Sequence, residues 1–459
     1  ARPPALTVAL QADSLHELLG DATRRHRVPG ATLAVLHGDE VTVASAGVLH
    51  RGTGVEATPD SLFQIGSITK VWTTTLVAQL VAEGKLAFDT PVAEVIPGFR
   101  VADPDTSKRV TVEHLVTHTS GIDGDVFTDT GRGDDCVERY VASLAGIPQT
   151  HPLGATMSYC NTGFVVAGRL VEVLTGQSWD AALHERLVEP LGLTHTVTLP
   201  EDALRYRAAM GHIGQPGDEP APAPRWMLPR SVGPAGLISA RAGDLIEFAR
   251  LHLGGGRSAT GTEVLRPDLV ADMQRVHLDV PNRDSLRDHW GLGWFLCDWD
   301  GATVYGHDGG TVGQFAFLRV DPVHSVAVAL LTNGGDVGST YTEIYGTLFP
   351  ELCGVTPRRF APAAEPPAVD GTEHAGVYER HGARLTITAA DGGLAARHES
   401  TGELAGLVPT LELEMVPVRH DVWAARAEAE GEWAAMRFYA LGDGTRYVHF
   451  GGRATPKRG

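Results

Sequence analysis

The sequence predicts an α+β protein in two parts: an antiparallel sheet with a helical region, then a small all-β domain. Three observations carry this. Short β-rich runs occur near the start of the chain and again after residue 290, with a helix-rich stretch between them. A Pro- and Ala-rich segment interrupts the pattern, and beyond it come only short strands separated by Gly turns. A chain of 459 residues also exceeds one ordinary domain. The expected division is 1–355 for the larger unit, 356–370 for a semi-rigid linker and 371–459 for a small β-barrel.

The elements follow in order. Leu15, Leu18 and Leu19 share one face of a helix over 14–26. The runs 31–37 and 41–47, split by Gly38-Asp39, read as a hairpin. A helix runs from about Ser67 to Glu83 and is closed by Gly84. Helices are expected at 111–118, 161–175 and 241–253, and a loop at 214–224. Strands resume at 293–299, 302–306, 313–320 and 325–332, which suggests one sheet built from both ends of the unit. In the last part the strand runs are 384–389, 411–417, 433–439 and 447–451.

Composition excludes several classes. Hydrophobic residues make up 43% of the chain and charged residues 20%, a soluble globular balance. No apolar run is long enough to span a bilayer. The net charge of −18, from 38 basic and 56 acidic residues, argues against nucleic acid as a partner. Cys136, Cys160, Cys297 and Cys353 show no metal-ligand spacing, so neither a metal nor another cofactor is expected. Read as free thiols, and with no signal peptide visible in Ala1–Leu10, they favour the cytoplasm. A monomer is expected.

Three motifs carry chemistry. In Gly66-Ser67-Ile68-Thr69-Lys70, a serine at a helix start has a lysine three residues on, on the same face. A confined lysine can lose its proton and activate the hydroxyl, and the helix N-terminus offers N–H groups to an oxyanion. An N-cap serine with a surface lysine fits the same pattern. Lys70 is one of only four lysines in the chain. In Ser158-Tyr159-Cys160-Asn161, the tyrosine suits a proton shuttle, and Asn161 suits hydrogen bonds to Lys70 and to a substrate amide. A core tyrosine beside a turn is the plainer reading. In Tyr305-Gly306-His307-Asp308-Gly309-Gly310, the glycines let a substrate backbone approach a strand edge. The N–H of Gly310 would share an oxyanion hole with that of Ser67, and His307 would contact a substrate carboxyl or support Tyr159. A Gly-rich hairpin turn fits equally.

Taken together and in this order, Ser67-x-x-Lys70, Tyr159-x-Asn161 and His307-x-Gly309 resemble the serine β-lactamase and penicillin-binding-protein superfamily, on its class C-like branch. His118-Thr119-Ser120-Gly121 and Gly233-Pro234-Ala235-Gly236 are similar to further family text, and the resemblance covers about residues 12–350. It implies Ser67, Lys70, Tyr159, Asn161 and His307 as catalytic residues and Ser67 with Gly310 as the oxyanion hole. Asp308, Gly309, Trp226 and Arg453 are the expected substrate contacts. Trp290 and Trp294 are further candidates for the cleft wall. A penicillin-binding-type unit followed by a lipocalin-like β domain resembles certain D-peptidases and the stand-alone thioesterases that cyclise non-ribosomal peptides. The implied function is head-to-tail macrolactamisation of a peptide thioester, free or carrier-protein-bound, with a D-residue at the acyl end. The alternatives are a D-peptidase, esterase or class C-like β-lactamase hydrolase, and a non-catalytic penicillin-binding sensor. Three intact motifs disfavour the sensor.

Overall fold

Alternation along two strands sets the architecture. Gly30–His37 lies antiparallel to Val326–Thr332, with Ala31 opposite Thr332 and His37 opposite Val326. Leu33, Val35, Val328 and Leu330 point into one apolar cluster, and Ala34, Leu36, Ala329 and Leu331 into another. A sheet buried on both faces needs helices on both. Ala12–Arg25 and Val337–Cys353 cover one face, and a larger helical layer covers the other. This computed structural model describes residues 11–390 and 393–458, so the targeting-segment reading of residues 1–10 lies outside the described residues.

The sheet runs in the order Glu40–His50, Gly30–His37, Val326–Thr332, Phe315–Asp321, Ala302–Gly310, Phe295–Trp299, with two-residue strands extending both edges. Its strands therefore come from both ends of the first unit, as the sequence suggests. Asn333 locks the join. Its amide accepts from Gly30 N at 2.8 Å and donates to Val48 O and Leu49 O at 3.1 and 3.0 Å.

Thr69–Ala82 is buried on almost every side, as a helix apolar all round must be. The serine helix does not start as an α-helix. Gly66–Ile68 forms a 3₁₀ turn, with Gly66 at φ +52°, before the α-helix begins at Thr69. Asn161–Thr175 crosses beside it, and Gly168 admits the ring of Pro234 there, since a Cβ on Gly168 would sit 2.2 Å from Pro234 Cγ. The short segment Gly233–Gly236 is thereby pressed onto the central helix. Thr73 donates to Pro234 O at 2.7 Å, and Thr69 accepts from Ile238 N at 3.1 Å.

Residues 355–371 contain neither helix nor strand. Eight strands from Gly376 to Pro456 then pair antiparallel in chain order. The first and last approach closure through a Tyr378–Lys457 bridge and an Arg458 N–H to Val377 O bond of 2.7 Å. Sequence periodicity misses four of these strands and the helix Val337–Cys353. The strands are short and alternate weakly, and the helix carries Gly338, Gly346 and Pro350.

Gly168→Ala tests the packing. The added methyl gains up to about 1 kcal/mol of helix propensity, but it meets a proline ring that cannot swing aside. The expected net loss is about 1–3 kcal/mol, read by urea denaturation, together with slower acylation because Ala235 moves with Pro234.

Candidate active site

Ser67 is the middle residue of the 3₁₀ turn that leads into the central helix. Glycines let the late strand close over it. A Cβ on Gly309 would lie 1.8 Å from Ile65 O and 2.8 Å from Ser67 N, and one on Gly66 would lie 2.5 Å from Gly310 N. The backbone N–H groups of Ser67 and Gly310 are thus brought to one place, as an oxyanion hole requires.

Lys70 is fully buried. Its Nζ donates to Ser67 Oγ at 2.9 Å and to Ala235 O at 2.7 Å. Burial, aided by the positive charge of Arg453, holds its pKa well below that of an ordinary lysine, with Asp125 and Cys160 acting weakly the other way. Tyr159 goes in the opposite direction. Burial raises its hydroxyl well above the usual tyrosine value, and contact with Ser67 and the charge of Arg453 offset only part of this. Adjacent groups pushed apart in this way divide the labour of base and acid. The Tyr159 ring lies 4.3 Å from that of His118, 4.7 Å from the Arg453 guanidinium and 4.9 Å from Lys70 Nζ.

His307 is buried, and desolvation, with Lys70 nearby, lowers its pKa to about 3. Its Nδ1 lies 2.6 Å from Asp308 O. A carbonyl only accepts, so that nitrogen carries the proton. Nε2 is therefore a buried acceptor, and it has no partner among the described residues.

A cavity of about 670 Å³ opens over Ser67. Both parts of the chain line it: Tyr159, Asn161, His307 and Gly310 from the first, and Arg380, His398, Phe450 and Arg453 from the barrel. The barrel is fastened to the segment that bears Tyr159. Tyr159 N–H donates to Gly452 O at 2.9 Å, Ala454 N–H to Ser158 Oγ at 3.1 Å, and the Tyr447 hydroxyl to Thr150 O at 2.8 Å.

The structure places several residues differently from expectation. The Asn161 amide donates to Asp125 Oδ1 at 2.9 Å, and Lys70 makes its bonds to Ser67 and Ala235 instead. Arg453 reaches the cavity, but its guanidinium is already paired with both oxygens of Asp125, at 3.1 and 3.2 Å. Asp308 lines the cavity with its carboxylate held by Arg287 at 2.9 Å and Arg319 at 2.7 Å. Trp226 lies outside the cavity wall, because its indole N–H is drawn to Ala209 O at 2.8 Å and its carbonyl accepts from Gln64. Trp290 takes a place in the wall, while Trp294 is core.

Asp125 is the residue that sequence reasoning passes over. It is buried and accepts from Asn161, Arg453 and Arg380. Burial would raise its pKa, but the two guanidiniums more than reverse this and hold the carboxyl below its usual range. Its partners lie 36, 255 and 328 positions away along the chain, so no local motif marks it.

A serine at a helix start, bonded to a buried lysine and set beside a strand-borne oxyanion pocket, defines a serine-nucleophile acyl-transfer enzyme of transpeptidase-like fold. The Beta-lactamase family model matches residues 15–344, and the chain belongs to that family. It is 52% identical over 366 residues to "Penicillin-binding protein 4" of Amycolatopsis lactamdurans, covering 79% of this chain and 96% of that one. It is 28% identical to "Esterase EstB" of Burkholderia gladioli over 72% of this chain and 92% of the relative. The crystal structure of SurE matches 97% of this chain and 99% of its own, with a TM-score of 0.78 and 27% identity. The four cysteines are free and buried. No helix among the described residues is long and apolar enough to cross a membrane.

Asp125→Asn is expected to lower stability by about 3 kcal/mol, since it leaves two partly buried arginines with a neutral partner, and to slow acylation. The sign with pH follows. A carboxylate held below its unfolded pKa contributes fully above about pH 4 and loses that contribution as pH falls through its folded value. The difference between the thermal melts of the two proteins should therefore hold from pH 7 to about pH 4 and begin to narrow toward pH 3.

Proposed function

We propose that Ser67 attacks a peptide thioester with a D-residue at its acyl end, and that the peptide's own amine releases it as a macrolactam. The observation that carries the acyl-transfer chemistry is the buried Lys70 amine, 2.9 Å from Ser67 Oγ. Neutral Lys70 takes the serine proton as the Oγ–C bond forms. The oxyanion rests on the N–H groups of Ser67 and Gly310. Tyr159, which keeps its proton, relays one to the departing thiolate as the C–S bond breaks. In the second half the peptide's amine attacks the ester carbonyl, the C–N bond forms as the C–Oγ bond breaks, and the proton the amine loses passes to Ser67 Oγ.

One feature supports release by an amine: the barrel supplies one wall of the site, which narrows its opening to solvent. For D-configuration, support comes from two solved structures: SurE with D-Leu, at 27% identity and a TM-score of 0.73, and a D-stereospecific amidohydrolase from Streptomyces, at 26% and 0.56. The second reading, hydrolysis of a D-peptide or ester, is favoured by the penicillin-binding and esterase names of the relatives.

Ser67→Ala should abolish turnover, with the acyl adduct of the unsubstituted protein mapping by mass to Ser67. Tyr159→Phe should slow acylation by about a hundredfold or more, and an unchanged rate would make Tyr159 structural. Acylation should rise with pH as Lys70 loses its proton and level off well below pH 10.5, read in stopped-flow thiol release. A D-ended peptide thioester should outpace its L-epimer by roughly a hundredfold, since displacing the carbonyl from one donor costs about 2.7–4 kcal/mol. Cyclic product supports the first reading and linear acid the second.

A further inference from the structure

The strand Ala302–Gly310 pairs on one side with Phe315–Asp321 along Tyr305–Gly310. On its other side the pairing with Phe295–Trp299 stops at Gly306. Among the described residues no strand covers that edge of His307–Gly310, and these residues line the cavity. An unpaired edge beside a nucleophile suits an extended peptide added as a further strand.

The path such a peptide takes follows from the proton relay. Lys70, Tyr159 and His307 gather at the His307 end, so the leaving group lies there. The acyl portion must then run past Gly310 toward Thr311. In that direction the cavity continues into a second one of about 290 Å³. The two share Thr311, Phe315, Val337, Gly338, Leu407 and Val408. The neck is mostly apolar, and Val408, on the barrel, is 40% exposed. Beyond it the walls are the 213–218 loop and, at the far end, Arg27 and Glu428, which meet at 3.3 Å across the two parts of the chain. Arg27 Nε is a buried donor with no partner among the described residues.

We infer that this arm is a subsite for the acyl-distal residues of the peptide donor, with apolar side chains packing in the neck and the peptide backbone bonding beyond it. The assignment rests on the peptide-donor reading above. It makes the barrel a determinant of donor length and sequence. Gly338 has room for a side chain, with no atom nearer to an added Cβ than Asp336 Oδ1 at 3.8 Å, so the neck can be plugged from either part of the chain.

The test uses the full chain with Val408→Trp and, separately, Gly338→Phe. Two thioesters share the same D-acyl residue: one N-acetylated single residue, and one hexapeptide with apolar residues behind it. Each plug should raise KM for the hexapeptide by roughly tenfold and leave Ser67 acylation by the short donor within about twofold. Equal effects on both donors, or none on either, overturn the arm. Binding of the hexapeptide as its amide to Ser67→Ala protein, with and without each plug, reads the arm without turnover. Loss of that binding in both plugged proteins supports the arm even if no thioester acylates Ser67, an outcome that would sink only the acyl-transfer reading. Unchanged binding overturns it.

Discussion

A primary amine with no exposure to water is costly, and this molecule is arranged around one. Lys70 is offered a hydroxyl and a carbonyl as partners and no carboxylate in direct contact. Such surroundings favour the neutral amine. Every element next to it bears on that outcome. The central helix fixes its register with Ser67, the Gly233–Gly236 segment supplies Ala235 O, and Arg453 adds a repelling charge from the barrel. Had Asp125 bonded Lys70 directly, the amine would hold its proton and the serine would have no base. The carboxylate is instead spent on Arg453, Arg380 and Asn161.

That arrangement explains why the barrel is part of the enzyme. Arg453 stacks on Tyr159 and pairs with Asp125, while Gly452 accepts from the Tyr159 backbone. Arg453 bears on both groups in opposite senses: its charge helps burial keep Lys70 neutral, and it offsets part of the burial that keeps Tyr159 protonated. A second pair of arginines, Arg287 and Arg319, converges on Asp308 at the other side of the strand. Each acidic residue lining the cavity thus meets two guanidiniums, and the site is cationic within a chain of net charge −18.

The serine, lysine and tyrosine proposed as catalytic are legible because they lie in short motifs whose spacing is dictated by one helix turn or one strand. The sheet is legible because its central strands, buried on both faces, read as short, nearly continuous apolar runs. Trp226 shows the limit: its type suits a cleft wall, but an indole N–H beside Ala209 O is satisfied elsewhere. Asn161 shows another, because its motif brings it to the site while its partner comes from a loop 36 residues earlier.

By itself the sequence determined the order of the three motifs, the candidate nucleophile with an amine one helix turn away, and an α+β unit followed by strands, all of which depend on local spacing and periodicity. Tertiary structure decided which charges meet: that Asp125 takes two arginines, that Arg453 faces Tyr159, and that the barrel closes one wall of the cavity. Electrostatic pairing acts through space with no preferred separation along the chain, and only the folded contacts select one partner among 38 basic residues.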